Sequence, residues 1–194
     1  MWKPGTDNPL KTFEGHTDIV RAVKITYSGK YCLSGGDDKT IRVWDINTEE
    51  CVNNITGHSN SVMSLAVTKD EGFIISGSRD KTVKIWKFES GECFNTFQGH
   101  EKAIFSVILS SNDKYILSGG GDKEIRIWDR FSGECLKSLQ GHKGNITSLV
   151  ATKKNDYLVS GSNDGTVKIW NIEEWLISSS LSKDGKALVK KHTL

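Results

Sequence analysis

The sequence predicts an all-β protein built from four in-register copies of one 42-residue unit, each copy holding four short strands. Three observations predict it. Gly-His pairs stand at Gly15-His16, Gly57-His58, Gly99-His100 and Gly141-His142, each 42 residues beyond the last with no insertion or deletion between them. In the same step recur Ser34, Ser76, Ser118 and Ser160, then Asp38, Asp80, Asp122 and Asp164, then Trp44, Trp86, Trp128 and Trp170. Self-similarity at a fixed period of this size marks an array of structural repeats. Between the markers the segments are short, β-branched or aromatic, and bounded by turn residues, the pattern of strands rather than helices.

In the first unit the expected strands run from Val20 to Ile25, Tyr31 to Ser34, Thr40 to Trp44 and Cys51 to Ile55. Thr40-Ile41-Arg42-Val43-Trp44 alternates polar and apolar side chains, and Thr82-Val83-Lys84-Ile85-Trp86 repeats the alternation, so one side of that strand faces a core. Tight connections are specified by Gly35-Gly36-Asp37-Asp38-Lys39, Gly77-Ser78-Arg79-Asp80-Lys81 and Ser90-Gly91-Glu92.

At 194 residues and 36% hydrophobic, the chain is long enough to bury a core. Its 26 basic and 24 acidic residues leave a net charge of +2 without a block of like charge, so nothing points to direct nucleic-acid or membrane partners. The first residues hold no apolar leader, and no stretch approaches the roughly 18 apolar residues of a membrane span. A cytoplasmic or nuclear protein is expected. Cysteine occurs four times without a C-x-x-C pair. Cys51, Cys93 and Cys135 stand 42 apart, one packing position used three times.

A Gly-His, a turn aspartate and a Trp-Asp, as in Trp44-Asp45 and Trp128-Asp129, within a unit of this size closely resemble the WD40 repeat family. The resemblance covers residues 10 to 172. It implies a β-propeller, whose blades are four-stranded antiparallel sheets packed face to face around an axis. Two units depart from the motif, with Trp86-Lys87 and Trp170-Asn171, but the aspartate is the more dispensable half of that dipeptide in the family.

Each unit also orders a histidine, a serine and an aspartate, the residue types of nucleophilic acyl transfer. A hydrolase needs one such site with an oxyanion hole and a pocket, whereas here the set occurs four times at one spacing and always with a tryptophan. Repetition argues for architecture. In the family that the chain resembles, these four side chains form a buried hydrogen-bonded chain tying the strands of a blade together. The expected structural tetrads are therefore His16, Ser34, Asp38 and Trp44; His58, Ser76, Asp80 and Trp86; His100, Ser118, Asp122 and Trp128; and His142, Ser160, Asp164 and Trp170. No catalytic residue, cofactor or metal is expected. Four of the five histidines belong to the frame, leaving only His192, and the second acid of Asp37-Asp38 is committed to it. The sequons at Asn54 and Asn145 fall within expected strands.

If the frame carries the fold, function belongs to columns that change from unit to unit. Five residues after each histidine lie Arg21, Met63, Phe105 and Thr147, and just before each turn aspartate lie Asp37, Arg79, Gly121 and Asn163. In the family these positions face the narrower rim around the central channel, a docking surface for proteins and peptides. Met63 and Phe105, edged by Arg21 and Arg79, form a candidate hot spot for a partner with some acidic character, unless they pack between blades. A non-enzymatic protein-binding scaffold is the leading expectation, and a structural subunit of a larger assembly the alternative.

The repeats are expected at 15–56, 57–98, 99–140 and 141–182, with 1–14 as the remnant of a preceding unit and 183–194 as a tail. Stepping back 42 residues from Trp44 and Ile55 reaches Trp2 and Phe13, and stepping forward reaches Ile177 and Leu181 in the columns of Cys135 and Leu139. Outer-strand candidates therefore lie at both ends, Leu10 to Phe13 and Ile177 to Leu181, for only four sets of inner strands. Propellers have roughly four to eight blades, and members of the resembled family mostly about seven or eight. Three arrangements remain open: Leu10 to Phe13 closes a small ring on the fourth unit, two chains combine into an eight-bladed ring, or the chain is part of a longer propeller. The second and third are favoured, because an array without caps exposes apolar faces and open edges.

Overall fold

The structure, a computed structural model, describes residues 8–172. Among them are fifteen strands and no helix, and so no helix long and apolar enough to cross a membrane. Blade 1 comprises β1 (Val20–Ile25), β2 (Tyr31–Gly36), β3 (Ile41–Asp45) and β4 (Cys51–Ile55). Blade 2 comprises β5 (Val62–Val67), β6 (Phe73–Ser78), β7 (Val83–Lys87) and β8 (Cys93–Phe97). Blade 3 follows with β9 (Ile104–Leu109), β10 (Tyr115–Gly120), β11 (Glu124–Asp129) and β12 (Cys135–Gln140). Blade 4 has β13 (Ile146–Ala151), β14 (Tyr157–Ser162) and β15 (Val167–Asn171), three strands rather than the expected four among the described residues. The candidate outer strand from Ile177 to Leu181, like Trp2 and His192, lies outside the described residues.

Every sheet is an antiparallel meander in chain order. The second strands run further than expected, to Gly36 in blade 1, because pairing continues on both flanks: Gly35 lies opposite Ile41, and Val20 opposite Gly36. A register shift follows the first residue of the inner strand, between Val20 and Ala22, Val62 and Ser64, and Ile146 and Ser148. Contacts between blades run through these inner strands, β1 to β5, β5 to β9 and β9 to β13.

Three apolar clusters fill the spaces between successive blades. In the first, Leu33, Ile41 and Val43 of blade 1 meet Val62, Leu65 and Ile74 of blade 2, and the same columns recur in the other two. Each blade therefore has a leading face, turned to the blade before it, and a trailing face, turned to the blade after. Close approach needs glycine in β2, β6 and β10. A Cβ on Gly35, Gly77 or Gly119 would come within 2.6–2.7 Å of Val62, Val107 or Ile146 of the following blade. Fully burying one such aliphatic side chain stabilises the fold by about 1.5–3 kcal/mol.

Where the array stops, the same columns lie open. Val23 is 70% exposed, whereas Leu65 and Val107 in its column are 7% and 2% exposed. On the trailing side Ile169 is 70% exposed against 1% for Ile85 and Ile127. Leu10 to Phe13 form no strand. They lie against blade 1 and not the fourth blade: Lys11 Nζ donates to the Ile46 carbonyl at 2.5 Å and pairs with Glu49 at 3.1 Å, and Phe13 stacks on Trp44 with centroids 5.5 Å apart. A strand requires an edge to pair with, and among the described residues none stands beside this segment.

Candidate functional site

The tetrad residues converge in every blade. In blade 1 the Trp44 indole N–H donates to Ser34 Oγ at 2.7 Å, Ser34 lies 2.6 Å from His16 Nε2, and His16 Nδ1 lies 2.7 Å from Asp38 Oδ2. Blade 2 links Trp86, Ser76, His58 and Asp80 at 2.8, 2.6 and 2.6 Å. Blade 3 links Trp128, Ser118, His100 and Asp122 at 2.8, 2.7 and 2.7 Å, and blade 4 links Trp170, Ser160, His142 and Asp164 at 2.8, 2.7 and 2.8 Å.

Donor and acceptor roles follow from the chemistry. An indole N–H can only donate, so the serine oxygen accepts from it and sends its single proton to Nε2. Nε2 is therefore the bare nitrogen, and Nδ1 carries the hydrogen it donates to the carboxylate. Every polar atom along the chain is satisfied, which is what burial demands. Strands two and three, the histidine loop and the aspartate turn are thereby tied together.

The carboxylates are held in place from several sides. Asp38 Oδ2 also accepts the Thr17 amide, and Asp80, Asp122 and Asp164 accept the Ser59, Glu101 and Lys143 amides. Thr40, Thr82 and Thr166 donate hydroxyls to the other oxygen in blades 1, 2 and 4, whereas blade 3 has Glu124 at that position. Burial pushes the Asp80 carboxyl up, but hydrogen bonds from His58 and Thr82 outweigh it and leave it far below the usual carboxylate range. For Asp38 and Asp122 burial is likewise outweighed, mainly by His16 and His100, and for Asp164 the Thr166 hydroxyl leads the lowering. The residue after each aspartate is left-handed: Lys39, Lys81 and Lys123 at φ 66–73°, with Gly165 at 79°.

The arrangement repeats the connectivity of a nucleophilic triad, but the serine oxygens are committed to indole donors, and Ser76, Ser118 and Ser160 have no solvent exposure. An approaching carbonyl finds no space beside these buried oxygens. Among the described residues no three His, Cys, Asp or Glu side chains are grouped to hold a metal ion.

The variable columns meet at the same end of each blade: in blade 1 Asp37 follows the Val20–Gly36 pair and donates its amide to the Ile19 carbonyl, and Arg21 is the residue at the register shift between Val20 and Ala22. Arg21 and Asp37 form a two-pronged ion pair, Nε to Oδ2 at 2.9 Å and Nη2 to Oδ2 at 2.5 Å. Hydrogen bonds from Arg21 and from Ser61 of the next blade hold Asp37 at a pKa of about 2. In blade 3 the Phe105 ring lies over Gly121, whose Cβ would stand 3.5 Å from it. Thr147 Oγ1 donates to the Gly161 carbonyl, and the Asn163 amide to the Asn145 carbonyl. Met63 and Phe105 are half-buried and Arg79 is exposed. Neither apolar residue belongs to the clusters between blades. One expectation changes: Arg21 is not a free cation at the edge of the apolar pair, since Asp37 neutralises it.

Sequence reasoning missed a second serine column. Ser64 Oγ accepts the Val107 amide at 3.0 Å and Ser106 Oγ the Leu149 amide at 3.1 Å, so each hydroxyl reaches across to the next blade. The recurrence of Ser64, Ser106 and Ser148 was the signal available.

A family model described as "WD domain, G-beta repeat" matches residues 7–45, 49–87, 91–129 and 133–171. Among curated proteins, the chain is similar to the ribosome biogenesis protein BOP1 homologs of Drosophila willistoni, Drosophila erecta and Drosophila melanogaster, at 50% identity over 36 residues. That segment is 19% of this chain and spans only 5% of the length of those relatives.

Proposed function

Because the chain belongs to the WD40 repeat family, we propose that it is a non-enzymatic scaffold that seats other proteins or peptides at the blade ends where histidine loops and aspartate turns meet. The observation that carries this reading is the contrast within that end. The hydrogen-bonded frame is the same four times, while the pair in front of it differs in every blade: Arg21 with Asp37, Met63 with Arg79, Phe105 with Gly121, Thr147 with Asn163. An unchanging support beneath a changing surface is what recognition needs, and acyl transfer has no use for four buried serines.

Met63 and Phe105 supply the apolar centre, with Arg79 as the exposed charge beside it. With Arg21 neutralised, the preference for an acidic partner rests on Arg79, whose charge the Asp37 carboxylate also feels. The net charge of +2 offers no basic field for nucleic acid. The work is placed in the cytoplasm or nucleus, and the ribosome-biogenesis name of the relatives is compatible with the latter. Their match is shorter than one repeat, so it carries the repeat and not their role.

The test is affinity capture with mass spectrometry, comparing the wild-type chain with Met63→Ala/Phe105→Ala. Both residues stand outside the apolar clusters, so the variant is expected to keep its circular dichroism and lose its partners. A folded variant that captures the same set as wild type overturns the docking surface.

A further inference from the structure

The joint between blades 2 and 3 holds an arginine whose donors the fold does not use. β11 runs away from the aspartate turn and ends at Asp129, so Arg130 lies at the end of the blade opposite the histidine loops. Its amide donates to the Lys114 carbonyl at 3.0 Å, the bond that Ile46, Phe88 and Ile172 make at the same place in the other blades. Those three side chains are apolar, and Phe88 plugs the joint with the blade before it by stacking on Tyr31 with centroids 5.3 Å apart. Arg130 keeps that seat, its guanidinium 5.3 Å from the centre of the Phe73 ring, but brings a charge to a place that the repeat fills with hydrocarbon.

A guanidinium carries five N–H donors and stays charged at every physiological pH. Arg130 Nε is buried without a hydrogen-bond partner, and among the described residues its Nη groups make no hydrogen bond or ion pair. Asp70, whose carboxylate feels the Arg130 charge, is committed to the Thr68 hydroxyl at 2.5 Å and the Gly72 amide at 3.0 Å. Isoleucine or phenylalanine in this seat would leave no unpaired Nε, so the arginine weakens the joint it fills.

The surface around it is apolar and held in place. The Phe131 ring lies 4.5 Å from the same guanidinium and is 66% exposed. Asp129 Oδ1 fixes the turn that carries this ring by accepting the Phe131 and Ser132 amides at 2.9 Å each. Phe94, in β8 and 51% exposed, stacks on Phe73 at 5.3 Å. Phe94, Phe73, Arg130 and Phe131 thus touch in series across the joint. Blade 1 has Val52 and Asn47 in the columns of Phe94 and Phe131. Blades 2 and 3 each have a blade on both sides, so the patch is not a face that another blade would cover.

We infer that this patch is a second docking surface, and that its occupant is an acidic segment of another protein. A carboxylate of that segment accepts from the Arg130 Nη groups, and an apolar side chain next to it lies on Phe131. Charge complementarity selects the partner, since the cation of the patch has no counter-charge in bonding distance. Stacking already fixes the guanidinium, so little side-chain freedom is lost on binding. Exposed aromatic rings beside an arginine are the composition in which binding energy concentrates. The patch lies at the far end of the blades from Met63 and Phe105, and it stands or falls apart from the docking surface proposed above.

The probe is a library of short random peptides displayed on phage, panned on the full wild-type chain and counter-selected on Arg130→Ile. The surviving sequences are expected to carry aspartate or glutamate next to leucine or an aromatic residue. By fluorescence anisotropy, the labelled peptides are expected to bind Phe131→Ser about tenfold or more weakly than wild type, and to lose as much when their acids are changed to amides. Met63→Ala/Phe105→Ala is expected to bind them as wild type does. Arg130→Ile is expected to melt no lower than wild type, because isoleucine fills this seat in blades 1 and 4. Recovery of no acidic sequence, or equal binding by the amide versions, overturns the inference. So does full binding by Phe131→Ser, whose exposed ring the fold does not need. An Arg130→Ile chain that melts several degrees below wild type also overturns it, because the arginine then serves the joint.

Discussion

Blades 2 and 4 have nearly the same sequence pattern and opposite surroundings. Ile85 and Ile169 occupy one column, Val83 and Val167 another, yet the first of each pair is buried and the second exposed. Trp86 is buried where Trp170 is half-buried. The difference teaches that the repeat dictates which side chains are offered for burial, while the neighbouring blade decides whether they are buried.

The largest expected effect breaks that comparison on the trailing faces. There Ile85→Ala is expected to cost about 2–5 kcal/mol in urea unfolding. Ile169→Ala, on an open face, is expected to stay within about 0.5 kcal/mol. Equal losses would mean that the trailing face of blade 4 is covered in the single chain.

Next come the serines. Ser76→Ala strands a buried indole N–H and a buried imidazole nitrogen, at a cost of about 1–3 kcal/mol. Ser160→Ala is expected to cost less, since the half-buried Trp170 can turn towards water. Matching losses would tell against the role of the following blade.

Acid sharpens the comparison between blades 2 and 3. All four frame aspartates have folded pKa values below the ordinary 3.8, so they bind fewer protons folded than unfolded. Their contribution is fully present above about pH 4 and is lost as pH falls through the lowered values. Asp80, with a threonine hydroxyl on its second oxygen, is expected to protonate at lower pH than Asp122, which faces Glu124 instead. Carboxyl titration by NMR reads this directly, and Glu124→Thr is expected to move Asp122 towards Asp80.

The smallest effect is a stabilisation. Lys81 holds φ 73° where blade 4 has Gly165 at 79°. Lys81→Gly is expected to gain up to about 1 kcal/mol in thermal unfolding, the left-handed strain exceeding the added chain entropy. A loss would show that the lysine side chain contributes more than its backbone costs.

The frame was readable because all four members of a tetrad lie within one blade, at separations the 42-residue period repeats. Residues whose partners lie in another blade were not. Ser64 and Ser106 look like ordinary strand polar positions until the amides of Val107 and Leu149 are set against them. Arg21 and Asp37 were placed in two separate columns, because a regular register joining residue 20 to residue 36 would pair 21 with 35, and the shift between Val20 and Ala22 is not written in the period. Leu10 to Phe13 was read as a strand on column identity alone, but the edge it needs belongs to a trailing face that nothing within residues 8–172 brings beside it. Sequence periodicity specifies both halves of a joint without saying what fills the last one.

Hydrogen exchange at the tryptophan indoles tests that central distinction between offered and completed surface most directly. The Trp86 indole N–H, buried between blades, is expected to exchange far more slowly than that of the half-buried Trp170. Equal exchange at the two indoles would contradict it.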